Sequence, residues 1–291
     1  MSIWAQFIQD IAKTWTRYGA QYLGGVWKTV YMAVLGTLIG CIIGFICGIL
    51  ETIPSSKSDN PVKRVFLKLI RVIIRIYVEV FRGTPMILQS VFIYYGIPYF
   101  TGNAFHWSSV TMAALVVVSI NTGAYMAESV RGGFLSIDIG QTEGAKAIGM
   151  NHVQTMTNVI IPQAFRVLMP QIGNNLIINI KDTSVLFIIS YGELFSVHRA
   201  AVGATYLYFP SAAIEMVAYL TLTVVASFLL RRIEKRLDGG ANYELVLDDQ
   251  ITATEGTYNK PVWGSNWDEQ SPEGKELERK KALEELGKEQ K

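Results

Sequence analysis

The chain has 291 residues, half of them hydrophobic and only 17% charged, with a mean hydropathy of +0.27 and a formal net charge of +2. So small a charge, with no Lys/Arg cluster interleaved with aromatics outside the ends of the apolar blocks, argues against nucleic acid as a partner. Cys41 and Cys47 share one apolar block and the three histidines are scattered singly, so neither a disulfide framework nor a zinc site is expected.

Apolar blocks run to about Arg231 and a charged tail follows, which places the body of the chain in a membrane. In the first segment, 1–25, Ile3, Trp4, Phe7, Ile8, Ile11, Trp15 and Tyr18 recur at helical spacing while Asp10, Lys13 and Arg17 interrupt the apolar run. This pattern predicts an amphipathic helix on the bilayer or against a neighbouring span, and it does not read as a secretion signal. The first crossing is expected from about Val26 to Leu50, where Gly36, Gly40, Gly44 and Gly48 form a stripe that lets another helix approach closely.

The segment from about Val65 to Tyr99 is too long for one simple span and carries Lys68, Arg71, Arg75, Glu79 and Arg82. It is expected to be one traverse broken at Gly83-Thr84-Pro85. Pro85 lacks an amide hydrogen, so carbonyls of the preceding turn need partners that lipid does not offer, and the break must face protein or a wet cavity. Further spans are expected from about Ser109 to Val130, Gln171 to Tyr191 and Ser211 to Leu230, giving about five.

Lysine and arginine flank three connections that share one side under this count: Lys57, Lys63 and Arg64; Arg131, Lys146 and Arg166; and Arg231, Arg232, Lys235 and Arg236. The opposite connections hold only Arg199. The N-terminus is therefore expected outside and the C-terminus in the cytoplasm, although splitting 65–99 into two spans would change that assignment for the first loop. The division is 1–25 amphipathic helix, 26–237 transmembrane domain and 238–291 charged cytoplasmic tail, the last too poor in large apolar groups to build a core.

Between two of the spans, residues 143–162 read EGAKAIGMNHVQTMTNVIIP. Thr142 to Met150 is expected to form a short helix with Glu143 near its N-terminus, where the macrodipole favours a carboxylate, and with Gly149 ending or bending it. Pro162 and Pro170 are expected to mark re-entry into the membrane, each biasing its predecessor away from helix.

Four ordered segments carry a resemblance. Tyr77-Val-Glu-Val-Phe-Arg-Gly-Thr-Pro85 with Gln89 and Tyr94-Tyr-Gly-Ile-Pro98, Ala124-Tyr-Met-Ala-Glu-Ser-Val-Arg-Gly-Gly133, Gly140-Gln-Thr-Glu-Gly-Ala-Lys-Ala-Ile-Gly149 and Asn174-Asn-Leu-Ile-Ile-Asn-Ile-Lys-Asp-Thr-Ser184 together resemble the polar amino acid (histidine, glutamine, arginine type) subfamily of ABC importer permeases from Gly25 to Leu237. Gly144 departs from the usual alanine and Val159 from the usual isoleucine.

The resemblance implies an all-α integral membrane protein of the type I ABC importer permease fold, with about five transmembrane helices and a cytoplasmic coupling helix. It implies that Glu143, Gly144, Ala145, Gly149 and Pro162 engage a cytoplasmic ABC ATPase dimer. It further implies a second permease copy, identical or related, an extracytoplasmic amino-acid-binding protein and a bacterial cell membrane location. The N-terminal helix and the tail lie outside it.

Polar groups at membrane depth point independently to a pathway. Glu79, Arg82, Glu128, Asn174, Asn175, Asn179, Lys181 and Asp182 lie in or beside apolar spans, where an unpaired charge costs roughly 3 kcal/mol, so they must pair or face water. Arg82, Thr84, Pro85, Glu128, Asn175, Asn179 and Asp182 are the candidate pathway residues: a zwitterionic amino acid needs both signs of charge and amide groups, and the half-helix after Pro85 can aim backbone amides at a carboxylate. The competing reading is that Glu79 with Arg82 and Glu128 with Arg131, each spaced i,i+3, only neutralise one another.

No cofactor is expected, because no G-x-x-x-x-G-K-[ST] is present: Gly274-Lys275 and Gly287-Lys288 are each followed by Glu. ATP would be bound by a partner subunit. A permease for a different small solute, or an intramembrane enzyme using Glu128 or Asp182 as acid or base, remain the alternatives, but no nucleophile elbow or metal motif supports the enzyme.

Overall fold

The computed structural model describes residues 2–53, 55 and 60–237, so the tail at 238–291 lies outside the described residues. Every regular element among them is helical: α1 (Ile3–Thr52), α2 (Pro61–Gly83), α3 (Met86–Val91), α4 (Ile97–Phe100), α5 (Val110–Leu135), α6 (Ile139–Ala147), α7 (His152–Thr155), α8 (Ile161–Asp182), α9 (Leu194–Thr205) and α10 (Tyr208–Leu237). A π turn, Phe92–Gly96, joins α3 to α4; another, Met156–Ile160, joins α7 to α8; and a 3-10 stretch, Thr183–Ile189, extends α8. Four of these helical stretches are long and apolar enough to cross a membrane: Ile3–Thr52, Val110–Leu135, His152–Ile189 and Tyr208–Arg236. The shorter apolar stretch Met86–Phe100 follows α2 and makes up the rest of the four to five traverses.

The glycine stripe sets the central packing. Gly36, Gly40, Gly44 and Gly48 are buried against Val118, Thr122, Met126 and Val130 of α5, and a Cβ at any of the four would overlap its opposite number. Both rows advance by four residues in the same direction, so α1 and α5 run parallel with their backbones close together. Helix α8 runs antiparallel to both, since Asn179 meets Thr37 and Thr122, Asn175 meets Met126, and Leu168 meets Gly133. The last turn of α1, the helix α6 and the α7–α8 turn therefore share one end of the bundle, and α9 shares the other with the start of α1.

Two expected elements are one. The amphipathic segment and the first crossing form a single 50-residue helix, about 75 Å long at 1.5 Å per residue. No proline interrupts it, and Gly25 packs so closely on Leu194 that a Cβ there would lie 3.0 Å from the Leu194 Cα, so Gly25 holds a contact instead of opening a hinge. Tyr18 and Tyr22 join Leu194, Ala201 and Ile214 in a core between α1, α9 and α10.

That core contains a carboxylate. Glu193 is completely buried and caps α9, accepting from the amides of Phe195 and Ser196 at 2.8 Å each, from the Ser196 hydroxyl at 3.1 Å and from the Tyr219 hydroxyl at 2.8 Å. Burial pushes its carboxyl up from the usual range while those donors pull it down. Beside it, the Ser211 hydroxyl meets both the Tyr22 hydroxyl at 2.6 Å and His198 Nδ1 at 2.9 Å.

Pro162 and Pro170 do not interrupt the helix. Ile161, before Pro162, is α-helical (φ −58°, ψ −45°), and Pro170 lies inside α8. The π turn explains the first case. Its wider ladder pairs the Ile161 amide with the Met156 carbonyl, so Pro162 enters at the first turn of α8, where a missing amide hydrogen costs little.

Candidate functional site

Helix α6 is the element on which the coupling assignment rests, and it begins earlier than expected, at Ile139. Asp138 sets that start, because its side chain accepts from the Gly140 amide, whereas Glu143 sits in the middle of the helix. The C-terminus is closed by paired bonds: the Gly149 amide donates to the Lys146 carbonyl and the Met150 amide to the Ala145 carbonyl, both at 3.0 Å. This is the Schellman arrangement, and it needs a left-handed residue, which Gly149 supplies at φ +84°.

One turn on, Asn151 and Gln154 cap α7 reciprocally, each accepting from the other's amide at 2.9 Å. Ala145 is buried and the Gln163 side chain reaches Gln141 at 3.2 Å, so α6 is held to the bundle along one side. Its other side is open. Glu143, Gly144 and Gly149 are exposed, and so are the apolar Ile139, Ile148 and Val153 at 74%, 75% and 67%. Pro162 is exposed at the start of α8.

The break in the second traverse is as the sequence requires, with α2 ending at Gly83 and Thr84 extended. Gln89 supplies the donors that Pro85 cannot. Its amide nitrogen donates to the Phe81 carbonyl at 2.9 Å, the Thr84 carbonyl at 2.8 Å and the Thr84 hydroxyl at 2.9 Å. Asn121 of α5 then donates to the Gln89 side-chain oxygen at 2.9 Å, which fixes the amide in that orientation. Thr84 and Pro85 themselves are exposed.

Charges gather beside this break, at the ends of three helices. Arg82 pairs with Glu128, Arg131 approaches Glu128 at 3.4 Å and Glu51 at 3.9 Å, and the group ties α2, α5 and α1 together. A cavity of about 220 Å³ lined by Glu51, Arg75, Val78, Glu79, Glu128 and Arg131 opens here. The expected Glu79–Arg82 pair is not made, because α5 presents Glu128 to the Arg82 side chain; the Glu128–Arg131 pair is present. Sequence spacing sees only pairs within one helix, so Glu51 and the α2–α5 bridge were invisible to it.

The remaining candidates divide. The Asn179 side chain donates to Thr37 at 2.7 Å and Thr122 at 2.9 Å, and Asn175 donates to the Gln171 carbonyl at 2.9 Å; both are buried. They bind α8 to α1 and α5 and face the core of the bundle. Asp182 is half-buried at the junction of α8 and the 3-10 stretch, and Asn174 and Lys181 are exposed.

Comparison with known proteins agrees with this geometry. A family profile described as binding-protein-dependent transport system inner membrane component matches residues 40–239. The glutamine transport system permease protein GlnP of Escherichia coli K12 is 39% identical over 162 residues, covering 56% of this chain and 73% of the relative. The arginine transport system permease protein ArtQ of Bacillus subtilis is 34% identical over 163 residues, covering 55% and 72%.

Among solved structures, an amino acid ABC transporter crystallised with histidines superposes with a TM-score of 0.66 at 30% identity, over 76% of this chain and 96% of its own. The inward-facing MetNI methionine ABC transporter shares the fold, with a TM-score of 0.60 at 20% identity over 76% and 98%. With a profile covering most of its length and the helices in matching places, the chain belongs to the binding-protein-dependent transport system inner membrane component family.

Proposed function

We propose that this chain is the permease subunit of an ATP-driven ABC importer for polar amino acids, working as one of two copies in a bacterial cell membrane. The observation that carries the reading is α6: a short helix closed at both ends, anchored through Ala145 and Gln141, with an exposed mixed face of Glu143, Gly144, Ile139 and Ile148. A force-transmitting contact needs a rigid element that does not bend under load, and closed termini provide one. In this reading the face meets the ATPase partner, which binds the ATP, and the rod passes nucleotide-driven motion to α5 and α8. No catalytic group or cofactor is assigned to the chain itself.

The end carrying α6 is the cytoplasmic one in this proposal, since Lys146, Arg166 and Arg231 gather there. The opposite end, with α9, would receive substrate from a soluble binding protein. Relatives named for glutamine and arginine transport support an amino acid as cargo. Within the protomer, the proposed route runs along Arg82, Thr84, Pro85 and Glu128, where both signs of charge stand beside an exposed break, and the half-buried Asp182 is assigned to it as well. Asn175 and Asn179 are buried and join α8 to α5 and α1.

The test is ATP-driven uptake in vesicles containing the chain with its ATPase, competed by each amino acid in turn. Glu143→Lys and Gly149→Asp are expected to abolish uptake while the protein stays inserted. Normal uptake by both variants would overturn the coupling role, and competition by no amino acid would overturn the cargo.

A further inference from the structure

From Pro61 to Val78, α2 carries Lys63, Arg64, Lys68, Arg71 and Arg75 and no acidic residue. Arg71 donates to the Ile53 carbonyl and to Ser55, and Arg75 lines the charged cavity. Arg64 and Lys68 are exposed one turn apart, on the same side of the helix. A different face of α2 holds Val62, Val65, Phe66, Leu69, Val72, Ile73 and Ile76, each between 45% and 73% exposed, and only Leu67, Ile74 and Val78 are buried.

Ile70 packs with Leu50 and Cys47 of α1 around Ile74, Val78 and Ala127, and the Arg71 guanidinium reaches the Ile53 carbonyl, so this part of α2 lies beside the last turns of α1. The turns of α2 before Ile70 therefore lie beside the end of α1, at the end of the bundle that also carries α6. An apolar face and a cationic stripe at one depth, where the bundle leaves the hydrocarbon, is the pattern of a helix lying at the membrane interface.

We propose that this part of α2 binds the headgroups of anionic phospholipids through Arg64 and Lys68, with Val65, Phe66 and Leu69 among the acyl chains. Charge complementarity selects an anionic occupant, and the apolar face beside the cations selects a lipid over a soluble anion. A second copy of the chain fits poorly, because a two-fold contact would bring the same acid-free cationic stripe against itself. The inference does not depend on the transport reading, since it concerns only how the helix meets the bilayer.

The experiment uses the full chain purified in neutral detergent and titrated with pyrene-labelled phosphatidylglycerol or phosphatidylcholine. The wild type is expected to prefer the anionic lipid and to lose the preference at high salt. Arg64→Gln/Lys68→Gln should weaken phosphatidylglycerol binding roughly thirtyfold, on about one Lys or Arg's worth of attraction per site. Arg17→Gln, at the opposite end, should leave it unchanged. Equal binding of both lipids, an unaffected double variant, displacement by inorganic phosphate alone, or a Leu69→Cys variant that crosslinks to another polypeptide in native membranes would each overturn the proposal.

Discussion

Gln89 shows how one side chain makes a broken helix tolerable inside a membrane. Pro85 removes a donor, and the extended Thr84 turns its own carbonyl out of the ladder, so two carbonyls lose their helical partners. The single Gln89 amide reaches both, and Asn121 holds it in place from α5. Leaving buried acceptors without donors costs about 1 to 3 kcal/mol each. Gln89→Leu is thus expected to lower stability by about 2 kcal/mol or more, read as the midpoint of thermal unfolding in detergent. Gln89→Glu keeps the size but removes the donors; a midpoint equal to wild type for that variant would show that the hydrogen bonds do not matter. The need for such donors was legible from Pro85 alone, but which residue meets it depends on the backbone turning back after the break.

At the level of elements, the contact between α1 and α5 rests on absent side chains. Four glycines in a row allow the two backbones to approach, and van der Waals contact along that seam replaces the hydrophobic drive that lipid removes. Gly44→Val should cost about 2 to 3 kcal/mol, because its side chain would collide with Met126 and with the α5 backbone, which cannot yield. Gly24→Ala, with nothing within 4 Å, should be neutral or slightly stabilising. Equal thermal midpoints for the two variants would refute the seam. The stripe was readable because a fourfold spacing marks one helix face, whereas the fate of Pro162 was not: a π turn is a property of the folded ladder, and no local propensity announces it.

For the whole molecule, the long α1 joins two regions that composition had separated. Its first turns, with Ile3, Trp4 and Ile8 exposed, contribute little to the core, whereas Tyr18 and Tyr22 are buried with α9 and α10. Removing residues 2–9 is therefore expected to leave insertion and unfolding nearly unchanged. Removing 2–24 should cost several kcal/mol, at about 2 kcal/mol for each large buried side chain, and should expose α9 to proteolysis. Limited proteolysis of the two truncations decides the point, and resistance of α9 in the longer deletion would contradict it. Spans, the broken traverse, the glycine seam and the short helix between α5 and α7 were determined by the sequence itself, because lipid forces every backbone group into helix and leaves hydropathy, glycine spacing and proline as direct readouts. Only the tertiary structure decided that Arg82 pairs with Glu128 instead of Glu79, that Asn175 and Asn179 turn into the core, and that Glu193 is buried among four donors. Those choices depend on which helix stands beside which, and the partners that meet across helices, such as Arg82 with Glu128 and Asn179 with Thr37, lie tens of residues apart in the chain.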